Sequence, residues 1–126
     1  AVDFTVSSTN EIQTVVESMV GKVDAIYAPT DNTIANGMAT VAMIANDNGL
    51  PVICGESGMV ESGGLATYGI DYYQLGYMAG EMAVDILVNG TNPGDIPVGY
   101  LSADKCEFAV NEETAAKLGI DVSSIQ

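Results

Sequence analysis

Histidine and arginine are both absent from this 126-residue chain, and three lysines stand against 17 acidic residues. Without histidine there can be no Ser-His-Asp or Cys-His catalytic group, and the ligand that most zinc sites use is missing. The net charge of −14 opposes binding to phosphate backbones and to anionic membrane surfaces. We therefore expect no nucleic-acid partner, no metal and no catalytic activity of these types.

Long hydrophobic runs are also missing, since no apolar stretch approaches the ~20 residues of a membrane-spanning helix. Hydrophobic residues nevertheless make up 48% of the chain, enough for one domain with a sizeable core. The opening residues, AVDFTVSS, resemble a strand in mid-sequence rather than a secretion leader. A leader is therefore expected to be absent or already removed.

Cysteine occurs only twice, as Cys54 in the run PVICG and Cys106 in the run KCEFAV. Two cysteines this far apart in sequence form no metal-binding motif. Buried free thiols are the simplest interpretation, and a disulfide is the alternative. No cofactor is expected either, because the chain has neither a G-x-G-x-x-G nor a G-K-[ST] loop.

Apolar residues alternate between strand and helix periods along the chain. Strands are predicted at 1–7, 23–29, 51–55 and 65–70, with one or two more in VGYLSADKCEFAV at 98–110. Helices are predicted at 8–20, 32–48, 72–88 and 112–118, with a short helical segment at 56–64. This order predicts an α/β fold, a three-layer sandwich of a mostly parallel sheet with helices on both faces.

Helix ends carry capping signals that place these boundaries. Ser8 and Glu11 form an S-x-x-E capping box, and Asp71 with Gln74 forms a variant of it. The helix after Asp71 has an apolar stripe that we expect to be buried: Leu75, Met78, Ala79, Met82 and Ile86. That stripe needs an apolar partner, either the chain's own sheet or a second copy in a homodimer.

Small polar residues follow four of the predicted strands. In open α/β sheets, ligands bind beyond the carboxyl ends of the strands, so these residues are expected to converge on one edge. The four segments are Ser7-Ser8-Thr9-Asn10, Thr30-Asp31-Asn32-Thr33, Gly55-Glu56-Ser57-Gly58 and Asp71-Tyr72-Tyr73. Carboxylates there suit an ammonium group, and hydroxyls with helix N-termini suit a carboxylate. Both charged groups of an amino acid would therefore have suitable partners at this edge.

Helix capping is the competing explanation for each of these polar residues. Ser8, Asp71 and Asn111 are good N-caps, worth ~1 kcal/mol each, and need no ligand. The cluster from Thr30 to Thr33 exceeds what a cap needs, because one side chain suffices. We therefore favour ligand contact at that cluster and capping alone at Asn111.

Four segments together resemble the bacterial ABC-transporter solute-binding proteins of the type I periplasmic-binding fold, in the subgroup with tryptophan- and tyrosine-binding lipoproteins. They are VSSTNEIQ, DAIYAPTDNTIA, PVICGESGMVESGGLATYGIDYYQLGYMAGEMA and GTNPGDIPVG. The resemblance implies a binding protein outside the cytoplasm, periplasmic or lipid-anchored, that delivers a small solute to a membrane permease. It implies these ligand-facing residues: Ser7, Ser8, Thr9, Thr30, Asp31, Asn32, Glu56, Ser57 and Asp71.

The same resemblance covers only the C-terminal part of such two-lobed proteins. It implies that residues 1–126 form one α/β lobe, and that an N-terminal lobe of similar size is missing. The chain would cross the hinge near Gly69 to Tyr72, so that residues 72–110 belong to the missing lobe or are swapped.

Other functions remain open from the residues alone. A sugar-binding protein of the same fold differs only in details of its cleft. A flavodoxin-like or receiver domain shares the layer pattern, and paired carboxylates could support an enzyme. The sequence GESGM lacks the final glycine of a nucleophile elbow, which argues against a hydrolase.

Overall fold

The computed structural model describes residues 1–123 and divides the chain into two compact units. The first unit combines residues 1–69 with the chain from Phe108 onward, and the second is Ile70–Glu107. Within residues 1–123, no helix has the length and apolar character required to cross a bilayer.

The first unit alternates strand and helix, as predicted. Its helices are α1 (Ile12–Met19), α2 (Asn32–Asn36), α3 (Met38–Asp47), α4 (Ser57–Glu61) and α6 (Glu112–Leu118). Its strands are β1 (Ile26–Ala28), β2 (Val52–Cys54), β3 (Ala66–Gly69) and β4 (Glu107–Val110), the last beginning at the boundary between the units.

The four strands form one sheet in the order β1-β2-β3-β4. β1 pairs parallel with β2, with Ile26 opposite Val52, and β2 pairs parallel with β3, with Ile53 opposite Ala66. This confirms the predicted α/β fold with a mostly parallel sheet. The predicted strand at 1–7 does not form, although Phe4 is half-buried and Val6 packs against the core.

One face of the sheet builds the core. Ile26, Ala28, Val52 and Cys54 point to this face and pack against α1 and α3, whose Ile12 and Met38 are among the most buried side chains. Successive strand residues point to opposite faces, so the residues between them face the other way.

The opposite face of the sheet is exposed. Tyr27 of β1 is 68% exposed and Tyr68 of β3 is 63% exposed, and Ile53 lies between them. The Tyr68 ring lies 6.2 Å from the Phe108 ring, which extends this apolar surface to β4. Parallel sheets are normally covered on both faces, and in the described first unit this face carries no such cover.

The predicted helix from 32 to 48 is divided into α2 and α3 at Gly37. A Cβ on Gly37 would overlap Cδ1 of Ile12, so glycine at this position leaves room for the Ile12 side chain of α1. The sequence showed the glycine but could not show which side chain lies against it.

The second unit contains α5 (Tyr72–Leu87), followed by irregular chain. None of the residues of this helix is buried within the chain. The stripe is therefore not covered by the chain's own sheet, and its burial by a second copy stays a prediction. Leu75 and Ala79 are exposed, and Met78 and Met82 are half-buried where Gly99 lies against their side chains. Of the one or two strands predicted in 98–110, one forms, which is β4.

Candidate functional site

The ends of β1 and β2 approach each other closely at one edge of the sheet. The two strands are parallel, so the chain leaves both at this edge. Thr30 lies against Gly55. A Cβ on Gly55 would lie 2.6 Å from the backbone nitrogen of Thr30 and would collide with the Oγ1 atom of the Thr30 side chain. The Thr30–Asn32 segment and the Glu56–Ser57 segment are therefore neighbours.

The end of β3 completes this edge. A Cβ on Gly69 would lie 3.2 Å from Cα of Glu56 and 3.4 Å from the carbonyl oxygen of Gly55. The absence of a side chain at Gly69 allows the Glu56 turn to lie beside the last residue of β3.

The Ser7–Thr9 segment reaches the same edge. The Thr9 hydroxyl donates to the carbonyl oxygen of Thr33 over 3.4 Å, and its methyl group would lie 3.2 Å from a Cβ on Gly37. Three of the four predicted polar segments thus meet at the carboxyl ends of the strands.

The fourth segment begins in the second unit. Asp71 precedes α5 and accepts a hydrogen bond from the backbone N–H of Gln74 at 3.0 Å. Within this unit, Asp71 and Gln74 line an open cavity of about 530 Å³ together with residues 104–107. Lys105 is a lining residue that sequence reasoning missed, because a single exposed lysine in a loop carries no pattern.

Asp31 caps α2 and still has an available oxygen. Its Oδ1 accepts hydrogen bonds from the backbone N–H groups of Thr33, at 2.8 Å, and Ile34, at 3.1 Å. Within residues 1–123 no hydrogen bond reaches Oδ2, and the residue is exposed. Capping and ligand contact are therefore compatible at Asp31.

Glu56 is more fully engaged in its own turn. Its Oε2 accepts from the N–H of Gly58 at 3.0 Å, and its Oε1 accepts from the N–H of Met59 at 2.9 Å. Because both oxygens serve as cap acceptors, Glu56 contributes negative charge to the edge with less freedom to bind a ligand directly.

The capping box predicted at Ser8 forms in part. Glu11 Oε2 accepts from the backbone N–H of Ser7, at 2.9 Å, rather than from that of Ser8. The Ser8 side chain makes no capping hydrogen bond. Capping therefore does not explain the Ser8 hydroxyl, whereas the Asn111 side chain caps α6 through the N–H of Thr114, as predicted.

Cys54 is the buried last residue of β2, and its thiol has low reactivity. Burial, followed by the negative charge of Glu56, raises the pKa of its thiol to about 11. The thiolate is scarce at neutral pH, so Cys54 does not serve as a nucleophile there. Cys54 and Cys106 are both free thiols.

The polar groups at this edge are suited to hydrogen bonding with a small polar solute. The edge offers exposed hydroxyl, amide and carboxylate groups from Thr30, Asp31 and Asn32, next to the Ser7–Thr9 turn. Carboxylate oxygens accept from ammonium or hydroxyl groups, and hydroxyls accept or donate. Within residues 1–123 no three potential metal-ligating side chains cluster together.

Polar groups gathered at the strand ends of a parallel α/β unit are the arrangement in which open α/β sheets bind ligands. The chain belongs to the family of ABC transporter substrate-binding proteins, whose family model matches residues 1–125. Members of this family are binding proteins rather than enzymes.

Individual relatives support this assignment. The chain is 46% identical over 113 residues to the tyrosine-binding protein of Clostridioides difficile, covering 90% of this chain and 32% of that protein. It also resembles a Streptococcus pneumoniae ABC domain solved with L-Trp, with 41% identity and a TM-score of 0.83 over 97% of this chain and 40% of that one.

A ligand-free, open substrate-binding protein with adhesive properties from Clostridium difficile is similar as well. It shares 45% identity, with a TM-score of 0.70 over 94% of this chain and 39% of that one. The chain thus spans about a third of the curated relative and two fifths of the solved structures.

Proposed function

We propose that this chain is the C-terminal part of the solute-binding component of an ABC importer. The complete protein would hold a free aromatic amino acid in a cleft between two lobes, outside the cytoplasm or anchored there as a lipoprotein. One observation supports this most strongly: three polar segments meet at the strand ends, and Asp31 retains an available carboxylate oxygen there.

Asp31 is the proposed partner of the ligand ammonium group. Its Oδ1 is held by two backbone N–H groups, so the carboxylate is already oriented before a ligand arrives. A charge-assisted hydrogen bond from an ammonium group to Oδ2 then costs little side-chain ordering. Thr30 and the Ser7–Thr9 turn supply hydroxyl and amide groups for the other polar atoms of the ligand.

Transport would follow from closure of the two lobes. A ligand that contacts both lobes favours the closed state by the difference between its affinities for the two states. A membrane permease that recognises the closed form would then receive only loaded protein. The first unit alone is expected to bind weakly, because it supplies one side of the contacts.

The test is calorimetric titration of the two-lobed polypeptide that contains this chain with L-Trp, L-Tyr and a panel of sugars. Asp31→Asn is the informative variant, because asparagine is an equally good N-cap but carries no charge. We expect it to weaken amino-acid binding by about 10-fold or more while leaving thermal stability nearly unchanged. Asp47→Asn, on the C-terminal turn of α3, is the matched control and should leave affinity unchanged.

A sugar is the second candidate ligand. Sugars are neutral, and the carboxylate and hydroxyl groups at this edge could hold one without any cation. In that case sugars would produce heat in the titration and amino acids would not. Unchanged amino-acid affinity in Asp31→Asn would remove Asp31 from the site.

A further inference from the structure

We propose that Asn89 is a site of spontaneous modification, at which the backbone nitrogen of Gly90 displaces ammonia from the Asn89 side chain and converts that residue to aspartate or isoaspartate. The inference goes beyond the proposed function and does not depend on it. It rests on a comparison of three Asn-Gly pairs within one chain: Asn36-Gly37, Asn48-Gly49 and Asn89-Gly90.

The reaction needs only the chain itself and water. The Gly90 nitrogen loses its proton to solvent and forms a bond to Cγ of Asn89. The Cγ–Nδ2 bond then breaks, and Nδ2 takes up a proton and leaves as ammonia. Water opens the resulting five-membered ring at either carbonyl, which gives aspartate or isoaspartate. No group is oxidised or reduced, and the sum is an amide and water giving a carboxylic acid and ammonia.

A glycine after the asparagine favours this ring closure, because it places no side chain beside the attacking nitrogen. Further conditions come from the structure. The attacking N–H must be open to solvent, and the asparagine backbone must be able to rotate until the nitrogen reaches Cγ. All three pairs meet the sequence requirement, so the structure decides between them.

The pair Asn36-Gly37 does not meet the structural conditions. Asn36 is the last residue of α2, and the Gly37 N–H donates to the carbonyl oxygen of Ile34 at 3.0 Å. Gly37 is buried, with the Ile12 side chain against it. Rotation at Asn36 would therefore disrupt the junction between α2 and α3 and the packing of α1 on it.

The pair Asn48-Gly49 is held to α3 by several hydrogen bonds. The Asn48 side-chain nitrogen donates to the carbonyl oxygen of Ile44 at 2.8 Å, which holds the side chain against the helix. The Gly49 N–H donates to the carbonyl oxygen of Asn46 at 3.3 Å, and the N–H of the buried Leu50 is bonded to α3 at 2.8 Å. Ring closure here requires that this helix end opens first.

The pair Asn89-Gly90 follows α5 and meets the conditions. Residues 87–95 are all exposed, and within residues 1–123 the Gly90 N–H makes no hydrogen bond. The Asn89 N–H lies 3.4 Å from the carbonyl oxygen of Val84, which is long for a hydrogen bond. The Asn89 side chain donates to Oδ1 of Asp85 at 2.8 Å, and both side chains are exposed. Water competes for such a bond, so the side chain can turn toward the Gly90 nitrogen at little cost.

The product changes the end of α5. A carboxylate at position 89 replaces the donor that faces Asp85 with a second negative charge, and like charges this close repel. The C-terminal end of a helix is also its negative dipole end, so a new anion is unfavourable there. Isoaspartate lengthens the main chain just before Thr91, whose N–H bonds to the carbonyl oxygen of Asp85 at 3.0 Å. Modification therefore loosens the last turn of α5.

The test is incubation of the two-lobed polypeptide that contains this chain at neutral pH and physiological temperature, followed by peptide mapping with mass spectrometry. We expect Asn89 to convert at least about 10-fold faster than Asn36 or Asn48, which react only through local opening. In urea, where all three pairs are unfolded, the rates should be nearly equal. Asn92 lies in the same exposed segment and should stay unmodified, because the following Pro93 has no N–H with which to attack.

Two glycine-to-alanine variants test the attacking group. Gly90 has a φ of 72° and Gly49 has a φ of 69°, and a Cβ on either would meet nothing within 4 Å, so the backbone strain is matched. Gly90→Ala should slow conversion of Asn89 several-fold, because the methyl group shields the nitrogen, whereas Gly49→Ala should leave that rate unchanged. An unchanged rate at Asn89 in Gly90→Ala, or equal rates at the three asparagines in the folded protein, would overturn the proposal.

Asn89→Asp reproduces the aspartate product and tests its effect on α5. We expect the Val88 and Thr91 amides to exchange about 2- to 5-fold faster in this variant, the effect of one unfavourable charge at a helix C-terminus. Asn92→Asp adds the same charge beyond the helix and keeps an oxygen that can accept from the N–H of Gly94, so exchange should not change. Unchanged exchange in Asn89→Asp would overturn the effect on α5.

Discussion

Thr30 and Gly55, each just beyond the end of a strand, lie so close that no side chain fits at position 55. The contact joins the two strand ends that carry Asp31 and Glu56. The spacing of two predicted ligand-binding segments is therefore fixed by the absence of a Cβ on a single residue.

Gly55→Ala should therefore lower the free energy of unfolding by about 1–3 kcal/mol, because the new methyl group collides with backbone as well as with the Thr30 side chain. In the two-lobed polypeptide that contains this chain, Gly55→Ala should also weaken ligand binding. Chemical denaturation measures the first effect and calorimetry the second.

Gly76→Ala is the matched control for this substitution. A Cβ at Gly76 meets nothing within 4 Å, and the residue lies inside α5. Alanine there should raise helix stability by about 0.5–1 kcal/mol. Loss of stability in this variant, or none in Gly55→Ala, would contradict the packing argument.

Two buried threonines should respond in opposite ways to the same change. Thr67 is 2% exposed, and its Oγ1 has no hydrogen-bond partner in the part of the chain that is described. Thr67→Val should raise the free energy of unfolding by about 1 kcal/mol, because it removes an unsatisfied buried hydroxyl.

Thr114 is the partner in this comparison. It is also buried, and its hydroxyl donates to the carbonyl oxygen of Gly63 at 3.1 Å. Thr114→Val should lower the free energy of unfolding by about 1 kcal/mol, because the carbonyl loses this hydrogen bond and keeps only the one from the Asn46 side-chain amide at 3.2 Å. Equal effects of the two substitutions in urea unfolding would show that the hydroxyl at Thr67 is in fact satisfied.

The Cys54 thiol should make the fold sensitive to alkaline pH. Its pKa is raised from 9.0 to about 11, first by burial and then by Glu56. A raised pKa means that the folded state favours the neutral thiol, so this contribution is complete below pH 9. It should be lost as the pH rises from 9 through 11, by up to about 3 kcal/mol.

Urea unfolding at several pH values measures this effect against Cys54→Ala. Cys54→Ala removes no other ionisable group, so the difference in slope between pH 9 and 11 isolates the thiol. Identical slopes would show that Cys54 ionises as freely in the folded state as in the unfolded one.

The cap at Asp31 gives a prediction for the isolated chain. Asp31→Ala should lower its free energy of unfolding by about 1 kcal/mol, since two backbone N–H groups of α2 lose their acceptor. Asp31→Asn should leave it within about 0.5 kcal/mol of the parent, because the amide oxygen still accepts. Thermal unfolding of both variants separates capping from charge before any ligand is added.

Local patterns in the sequence were sufficient for most elements of the fold. The caps at Asp31, Asp71 and Asn111 depend on contacts two or three residues apart, and Gly119 ends α6 with a φ of 69°. The alternation of strand and helix periods likewise predicted a parallel sheet, which placed three polar segments at one edge.

Predictions that depended on contacts between residues far apart in sequence were less accurate. Residues 1–7 have the pattern of a strand but do not form one. A strand needs a neighbouring strand to pair with, and a cavity separates residues 1–4 from β1. The stripe on α5 has the period of a buried face, yet burial requires an opposing surface, and none of its residues is buried.

Short-range chemistry in the sequence thus determined the type and order of most helices and strands, and which polar groups follow β1, β2 and β3. Only the tertiary structure decided that Thr30 touches Gly55, that Asp31 keeps an oxygen available and that Tyr27 stays exposed. Periodicity specifies which side of an element is apolar. Whether that apolar side is buried depends on whether another part of the protein packs against it, and only the tertiary structure shows this.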